Sequence, residues 1–365
     1  ESIRTHMEEL EQVALTLLGN NYTWRLCQQT APLSSDLLVA MKKLREDLSK
    51  FTSVVRVVLD GISEEDSAMD QVWETKQVLR RIDAASNLCQ NFLSWDEKPE
   101  TVFWIERNKL TGTDTNIWYP KFIQTPLDIA PMMNSGVYEP LDSVVCTSAT
   151  IQVAHDCNFW KKRTGVLFQD GDRVLEGSFS SPFPYKKNVL FAIPTDAPLP
   201  SESLFQPWIE EAIVMLVRAS QGKTLVLFTA YDSLRSACDY ARPQLAKEGI
   251  QLLKQGDDDR FRLLESFKNN TSSVLFATHS FWEGVDVPGD SLSQVIIVKL
   301  PFSVPNDPVF AARSEDLEKK GKSSFMELSV PEAVIKFRQG FGRLMRRSSD
   351  KGVVVVLDNR IIKKQ

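Results

Sequence analysis

The chain has 365 residues, with 43 lysines and arginines against 48 acidic side chains, a formal net charge of −5 and 42% hydrophobic residues. That length accommodates two or three domains and at least one full α/β core, and the composition is that of an ordinary globular protein. The acidic balance excludes nonspecific attraction of nucleic acid to the whole surface, but not a local basic groove. Lys42–Lys43, Arg80–Arg81, Lys161–Lys162–Arg163, Lys186–Lys187 and Arg346–Arg347 could line such a groove or could be solvated faces. Five cysteines, at 27, 89, 146, 157 and 238, include no CxxC pair, which argues against a disulfide frame or a zinc ribbon. No run approaches the roughly 20 apolar residues that cross a bilayer. The N-terminus lacks a basic-then-apolar signal, so a cytoplasmic protein with no membrane partner is expected.

From Glu1 to about Pro99 the pattern is helical. Leu37, Leu38, Met41, Leu44 and Leu48 recur at helical spacing, as do Val72, Trp73, Leu79, Ile82, Leu88 and Phe92, and both stripes are read as core. Short β-like runs follow at 101–106, 117–123 and 143–146, separated by Gly and Pro turns. Ser148 and Thr150 then fall just past a strand, where hydroxyls can bond a phosphate or relay movement. The Pro-rich stretch 181–200 is a linker or a lead-in strand pair. Beyond it the spacing predicts strands at 225–229, 274–278, 295–300 and 353–357, and helices near 233–247 and 331–345. Nearly continuous Val/Ile/Leu strands joined by helices describe a parallel sheet covered on both faces.

Several motifs bear chemistry. Gln339, Arg343 and Arg346 are spaced to share one stripe of a helix, and planar guanidiniums there suit a phosphate chain whose terminal bond breaks. The same residues also fit a solvated basic helix end. Gly340 and Gly342 each cost such a helix roughly 1 kcal/mol, which implies close approach by another backbone or a ligand. Glu283, Gly284 and Asp286 occupy a loop closed by Pro288 and Gly289, able to accept hydrogen bonds from a ribose or from the arginine helix, or to serve as an acidic turn. Thr229 ends a strand before Tyr231–Asp232–Ser233, a phosphate seat at a helix N-terminus or a plain N-cap. Gly222–Lys223–Thr224 is not a phosphate loop, because a helix precedes it and a strand follows. Gly222 is read as a helix C-cap. Histidines at 6, 155 and 279 are too scattered for a metal cluster.

The segments Val144–Ile151, Thr224–Ala230, Ser280–Gly289 (SFWEGVDVPG) and Gln339–Arg347 (QGFGRLMRR), followed by GVVVVLDNR, occur in the order of motifs III to VI of superfamily 2 helicases. From about Thr101 onward the chain resembles the DinG-type helicases of the XPD-like branch. The resemblance implies an α/β, RecA-like second motor domain at 152–365, the remainder of a first motor domain at 101–151, and a helical arch-like region at 1–100. It implies ATP and Mg2+ bound with the help of Walker A and acidic motifs that this chain lacks, so the expectation is a C-terminal part of a longer protein, inactive alone. Arg346 is then the arginine finger with Arg343 and Gln339 beside it. Glu283, Gly284 and Asp286 bind ATP, Ser148, Ala149 and Thr150 couple the domains, and Thr229, Ser280 and Phe281 hold single-stranded DNA. Relatives often carry an iron-sulfur cluster, expected upstream of this chain if present. Two other readings stay open: a noncatalytic nucleic-acid-binding module fused to an exonuclease, and a small-ligand α/β enzyme. Protein partners are not specified by these residues.

Overall fold

The computed structural model describes residues 1–63, 69–110, 117–278, 281 and 291–363. In chain order the main elements are α1 (Ser2–Leu18), β1 (Thr23–Leu26), α2 (Ser35–Asp60), α3 (Asp70–Leu93), β2 (Thr101–Lys109), β3 (Trp118–Pro126), β4 (Val189–Ala192), α4 (Phe205–Ala219), β5 (Thr224–Leu227), α5 (Tyr231–Ala246), β6 (Gln251–Lys254), α6 (Arg260–Asn269), β7 (Ser273–Ala277), β8 (Gln294–Ile297), α7 (Pro308–Lys319), α8 (Val330–Phe341) and β9 (Gly352–Val356). The chain forms two units, one of Glu1–Pro131 with Val304–Lys322, the other of Met132–Ser303 with Ser323–Gln365.

In the first unit α1, α2 and α3 bury the stripes that their spacing requires: Leu10, Ala14 and Leu18, then Leu37, Met41, Leu44 and Leu48, then Val72, Leu79 and Phe92. Trp73, read from the sequence as core, is 63% exposed. The helical stretch is interrupted by β1, which pairs antiparallel with β2, itself paired with β3. Side chains alternate across β2 as the strand period demands. Phe103 and Ile105 join the helical core, while Val102 and Trp104 face Val309 and Ala312 of α7. Arg25 holds Glu315 through two 2.8 Å hydrogen bonds, and Arg313 Nε donates to the Leu127 carbonyl at 3.0 Å. Thus the 101–131 stretch packs with the helices before it, and a segment from between β8 and α8 completes this unit.

The second unit is a six-stranded sheet in the order β4-β9-β8-β5-β7-β6, with every pairing parallel. Val226, Phe228, Phe276, Ile296 and Val355 point to one face beneath α4 and α5. Leu225, Leu227, Leu275, Val295 and Val354 point to the other, with Phe267 of α6 and Phe337 and Phe341 of α8. This is the parallel sheet covered on both faces that the apolar runs predict, and the α/β, RecA-like architecture that the resemblance implies. The stretch 181–200 contributes a single lead-in strand, β4, rather than a strand pair. The cap of α4 falls on Ser220 and not on Gly222, which lies two residues further on at φ +85° and donates to the Val217 carbonyl at 3.0 Å. Ser143–Cys146 is not a strand, and its residues are exposed. A short apolar run becomes a strand only beside a partner, and no described strand lies next to it.

Candidate nucleotide and nucleic-acid sites

The helix that carries Gln339 ends earlier than the spacing predicts. It stops at Phe341 with Gly342 as its cap, and Gly342 donates to Arg338 O at 2.9 Å. The next two turns tighten, with Arg343 N on Gly340 O at 3.2 Å and Leu344 N on Phe341 O at 3.4 Å. Two glycines in four residues weaken the helix here, and burial of Leu344 and Met345 draws the chain down toward the sheet. The single helical stripe of 339, 343 and 346 is therefore not formed. Arg343 folds back to donate from Nε to the Gln339 carbonyl at 3.0 Å, which keeps those two residues together. Arg346 lies on the loop before β9, where the Asp350 carboxylate accepts the backbone N–H groups of Arg346 at 2.8 Å and Arg347 at 2.7 Å.

The side chains of Gln339, Arg343 and Arg346 are all partly buried. Gln339 Oε1 is enclosed and accepts no hydrogen bond from a described residue, a state that costs about 1–3 kcal/mol until a donor arrives. Gly352 is required by the same crossing. A Cβ there would lie 2.2 Å from the Ser293 carbonyl oxygen, which instead accepts from Val353 N at 2.9 Å.

Ser148, Ala149 and Thr150 lie on an exposed loop, where the Ser148 hydroxyl accepts from Thr150 N at 3.1 Å. Arg338, one residue before Gln339, donates to the Gln152 carbonyl, so this loop and α8 meet within the second unit. Together they border a cavity of about 750 Å³ lined also by Cys157, Lys161 and Glu176. Lys161 and Glu176 pair at 2.5 Å, and burial followed by the Glu176 carboxylate pushes the Cys157 thiol up.

The carboxyl edge of the sheet gathers a second group. Thr229 follows β5 and is partly exposed. The helix after it has Ala230 as its N-cap with no side-chain cap bond, and Ser233 instead donates to Gln206 Oε1 at 2.6 Å. N-capping by Asp232 or Ser233 is thus not realised. Gln255 Oε1, after β6, accepts from both Thr278 N at 2.7 Å and Thr278 Oγ1 at 2.9 Å, tying together the loops that follow β6 and β7. Phe281 is 2% exposed within the sheet core, with the Arg260 guanidinium 5.3 Å from its ring. Its ring is thus buried and not offered at the surface. Ser280, Glu283, Gly284 and Asp286 lie outside the described residues.

The sequence reading missed the ends of β8 and β9. Asp358 is wholly buried and accepts from Leu300 N at 3.0 Å and from Arg360 Nη2 at 2.6 Å and Nε at 2.9 Å. Burial alone would raise the Asp358 carboxyl, but Arg360 and the Leu300 N–H outweigh it and hold it below the usual carboxylate range. The available signal was a pair of opposite charges two residues apart, Asp358 and Arg360, directly behind an apolar strand.

Residues 213–365 match the family model of the helicase C-terminal domain. The chain is 31% identical over 372 residues to the ATP-dependent DNA helicase YoaA of Haemophilus influenzae, covering 98% of this chain and 54% of that protein. It is 31% identical to the 3'-5' exonuclease DinG of Bacillus subtilis, covering 93% of this chain and 36% of that protein. It therefore spans about half or less of the length of these relatives. A solved XPD structure without ligand shares the fold, with a TM-score of 0.52 at 14% identity over 99% of this chain and 68% of that one. Among the described residues no helix is long and apolar enough to cross a membrane. Motif order, parallel sheet and these matches agree: residues 213–365 match the helicase C-terminal domain, and the chain is similar to helicases of the DinG type.

Proposed function

We propose that the intact protein is an ATP-dependent, cytoplasmic DNA helicase or translocase that moves on single-stranded DNA, and that this chain supplies its second motor domain. Arg346 acts as the arginine finger on the terminal phosphate of ATP, with Arg343 and Gln339 beside it. Glu283, Gly284 and Asp286 take the nucleotide from the other loop. Such a finger is worth about a thousandfold or more in turnover because phosphoryl transfer is governed by positioning and charge. ATP is the substrate, and we assign no magnesium ligand to this chain.

The observation that favours this reading is the pinned loop ahead of β9: Asp350 fixes the backbone of Arg346 while Arg343 is anchored on Gln339 O. Ser148 to Thr150 relay closure, and Thr229 with Ser280 grips the DNA backbone. The helical stretch 1–100 guides the strand as an arch-like region. In this assignment 101–151 continues the first motor domain and 152–365 forms the second. The chain by itself does not hydrolyse ATP, a statement that Arg346-dependent turnover by the purified chain would overturn.

Likeness to the Bacillus exonuclease DinG favours a second reading, a noncatalytic nucleic-acid-binding module beside a nuclease. ATP hydrolysis by the intact protein, with and without single-stranded DNA, separates the two. DNA-stimulated hydrolysis supports the motor, whereas binding of DNA without hydrolysis supports the module.

A further inference from the structure

The carboxyl ends of β8 and β9 hold more positive charge than their surroundings neutralise. Asp358 is the only carboxylate within ion-pair distance of Arg360 among the described residues, and its oxygens already accept four N–H groups, from Leu300 N and from Arg360 N, Nε and Nη2. Lys299 follows β8, is partly exposed, and places its ammonium 4.9 Å from the centroid of the buried Phe205 ring. No described carboxylate pairs with it. Burial, and then the Arg360 charge, push the Lys299 ammonium down against the pull of Asp358. Lys299 thus stands near a saturated Arg360–Asp358 pair, and no described carboxylate lies within ion-pair distance of its ammonium. Between Asp358 and Arg360 in the chain, Asn359 is wholly buried and donates to the Ala197 carbonyl.

Like charges held together in a partly dry site raise the energy of the free protein, and an anion placed between them lowers it. The neighbours indicate which anion. β9 and β8 are adjacent in the sheet and are followed by β5 and β7; Thr229 stands past the end of β5, while Thr278 past β7 has given its hydroxyl hydrogen to Gln255. At a strand spacing of about 4.8 Å the row from β9 to β7 is roughly 14 Å long. That exceeds a single small anion and suits a polymer carrying a phosphate at every nucleotide, gripped without regard to sequence.

We propose that Lys299 and Arg360 form a seat for one phosphodiester of single-stranded nucleic acid, at the β8–β9 end of the row that Thr229 continues. This rests on the motor reading above and adds a contact to its DNA path. Arg360 positions Asp358 as well as facing the phosphate, so its substitution would mix folding with binding. Lys299 is the informative residue.

The test is a salt titration of labelled oligothymidylate binding to the intact protein and to its Lys299→Gln and Lys299→Arg variants, with thermal melts to check folding. Loss of one phosphate contact should make the slope of log affinity against log salt shallower by about 0.7 for a single strand. Lys299→Gln is expected to show that change and Lys299→Arg to restore the wild-type slope. An unchanged slope in Lys299→Gln, with wild-type binding intact, overturns this inference and leaves the motor reading standing. Absence of oligothymidylate binding by the wild type removes both. Parallel titrations with inorganic phosphate and a fluorescent ATP analogue separate the sources of phosphate: if Lys299→Gln weakens those and not the oligonucleotide, the seat takes a free phosphate and the proposal fails.

Discussion

Arg343 Nε donates to the main-chain oxygen of Gln339 at 3.0 Å, so one guanidinium closes the last turn of α8 and holds two motif residues together. A cation on the final carbonyls of a helix is worth about 0.3–1 kcal/mol. Arg343→Ala is therefore expected to lower both stability and turnover. Arg346→Ala should leave a cooperative melt and reduce the DNA-stimulated kcat of the intact protein about a thousandfold. Asp350→Ala, which frees the two N–H groups that fix the loop, should cost about 1–2 kcal/mol and lower kcat less than Arg346→Ala. Steady-state hydrolysis beside urea melts checks all three. Near wild-type kcat in Arg346→Ala would sink its role.

Asp358 makes stability depend on acid. Its carboxyl is held below the usual range in the folded protein, so its contribution is complete above the unfolded value of about 3.9. That contribution is lost as pH falls through the lower, native value. Asp358→Asn should cost about 3 kcal/mol at neutral pH, because it leaves Arg360 without its partner. The gap between wild type and variant should narrow below about pH 4. Urea melts of both proteins across that range test this, and a gap that stays constant into strong acid would contradict it.

Gly352→Ala places a methyl group 2.2 Å from Ser293 O and 2.7 Å from Leu344 Cδ1. Backbone must move, and the expected loss is about 3 kcal/mol or more. Thermal unfolding measures it, and a loss under about 0.5 kcal/mol, the range of ordinary surface changes, would show that the β8–β9 crossing relaxes freely.

Thiol reactivity should follow burial. Cys89 and Cys238 are buried, Cys27 and Cys157 intermediate, and Cys146 exposed. Burial pushes the Cys89 thiol up to about 11, and only the thiolate reacts. Maleimide labelling of the native protein, read by mass spectrometry, should mark Cys146 first and reach Cys89 only after denaturation. Early labelling of Cys89 would contradict its place on the buried face of α3.

The parallel sheet was legible because each central strand is buried on both faces, which forces near-continuous runs such as Val353 to Leu357. The break between a helix and a strand around Gly222 was legible from the order of the apolar runs, but the cap itself falls two residues earlier, on Ser220. The order of the motif segments likewise needed no coordinates. Other features depended on partners distant in the chain. Thr23–Leu26 is a strand only because residues near 105 pair with it, and Ser143–Cys146, with comparable local propensity, is not one because no described strand lies beside it. The end of α8 was set by the pull of Leu344 and Met345 into the core and by Asp350 on the far side of the loop, neither of which periodicity reports. The cluster of Lys299, Asp358 and Arg360 arises from two strands adjacent in space but more than fifty residues apart in the sequence. Local pattern thus determined which segments could be strands and helices. Burial and long-range pairing decided which of them formed, where they stopped and which charges they brought together.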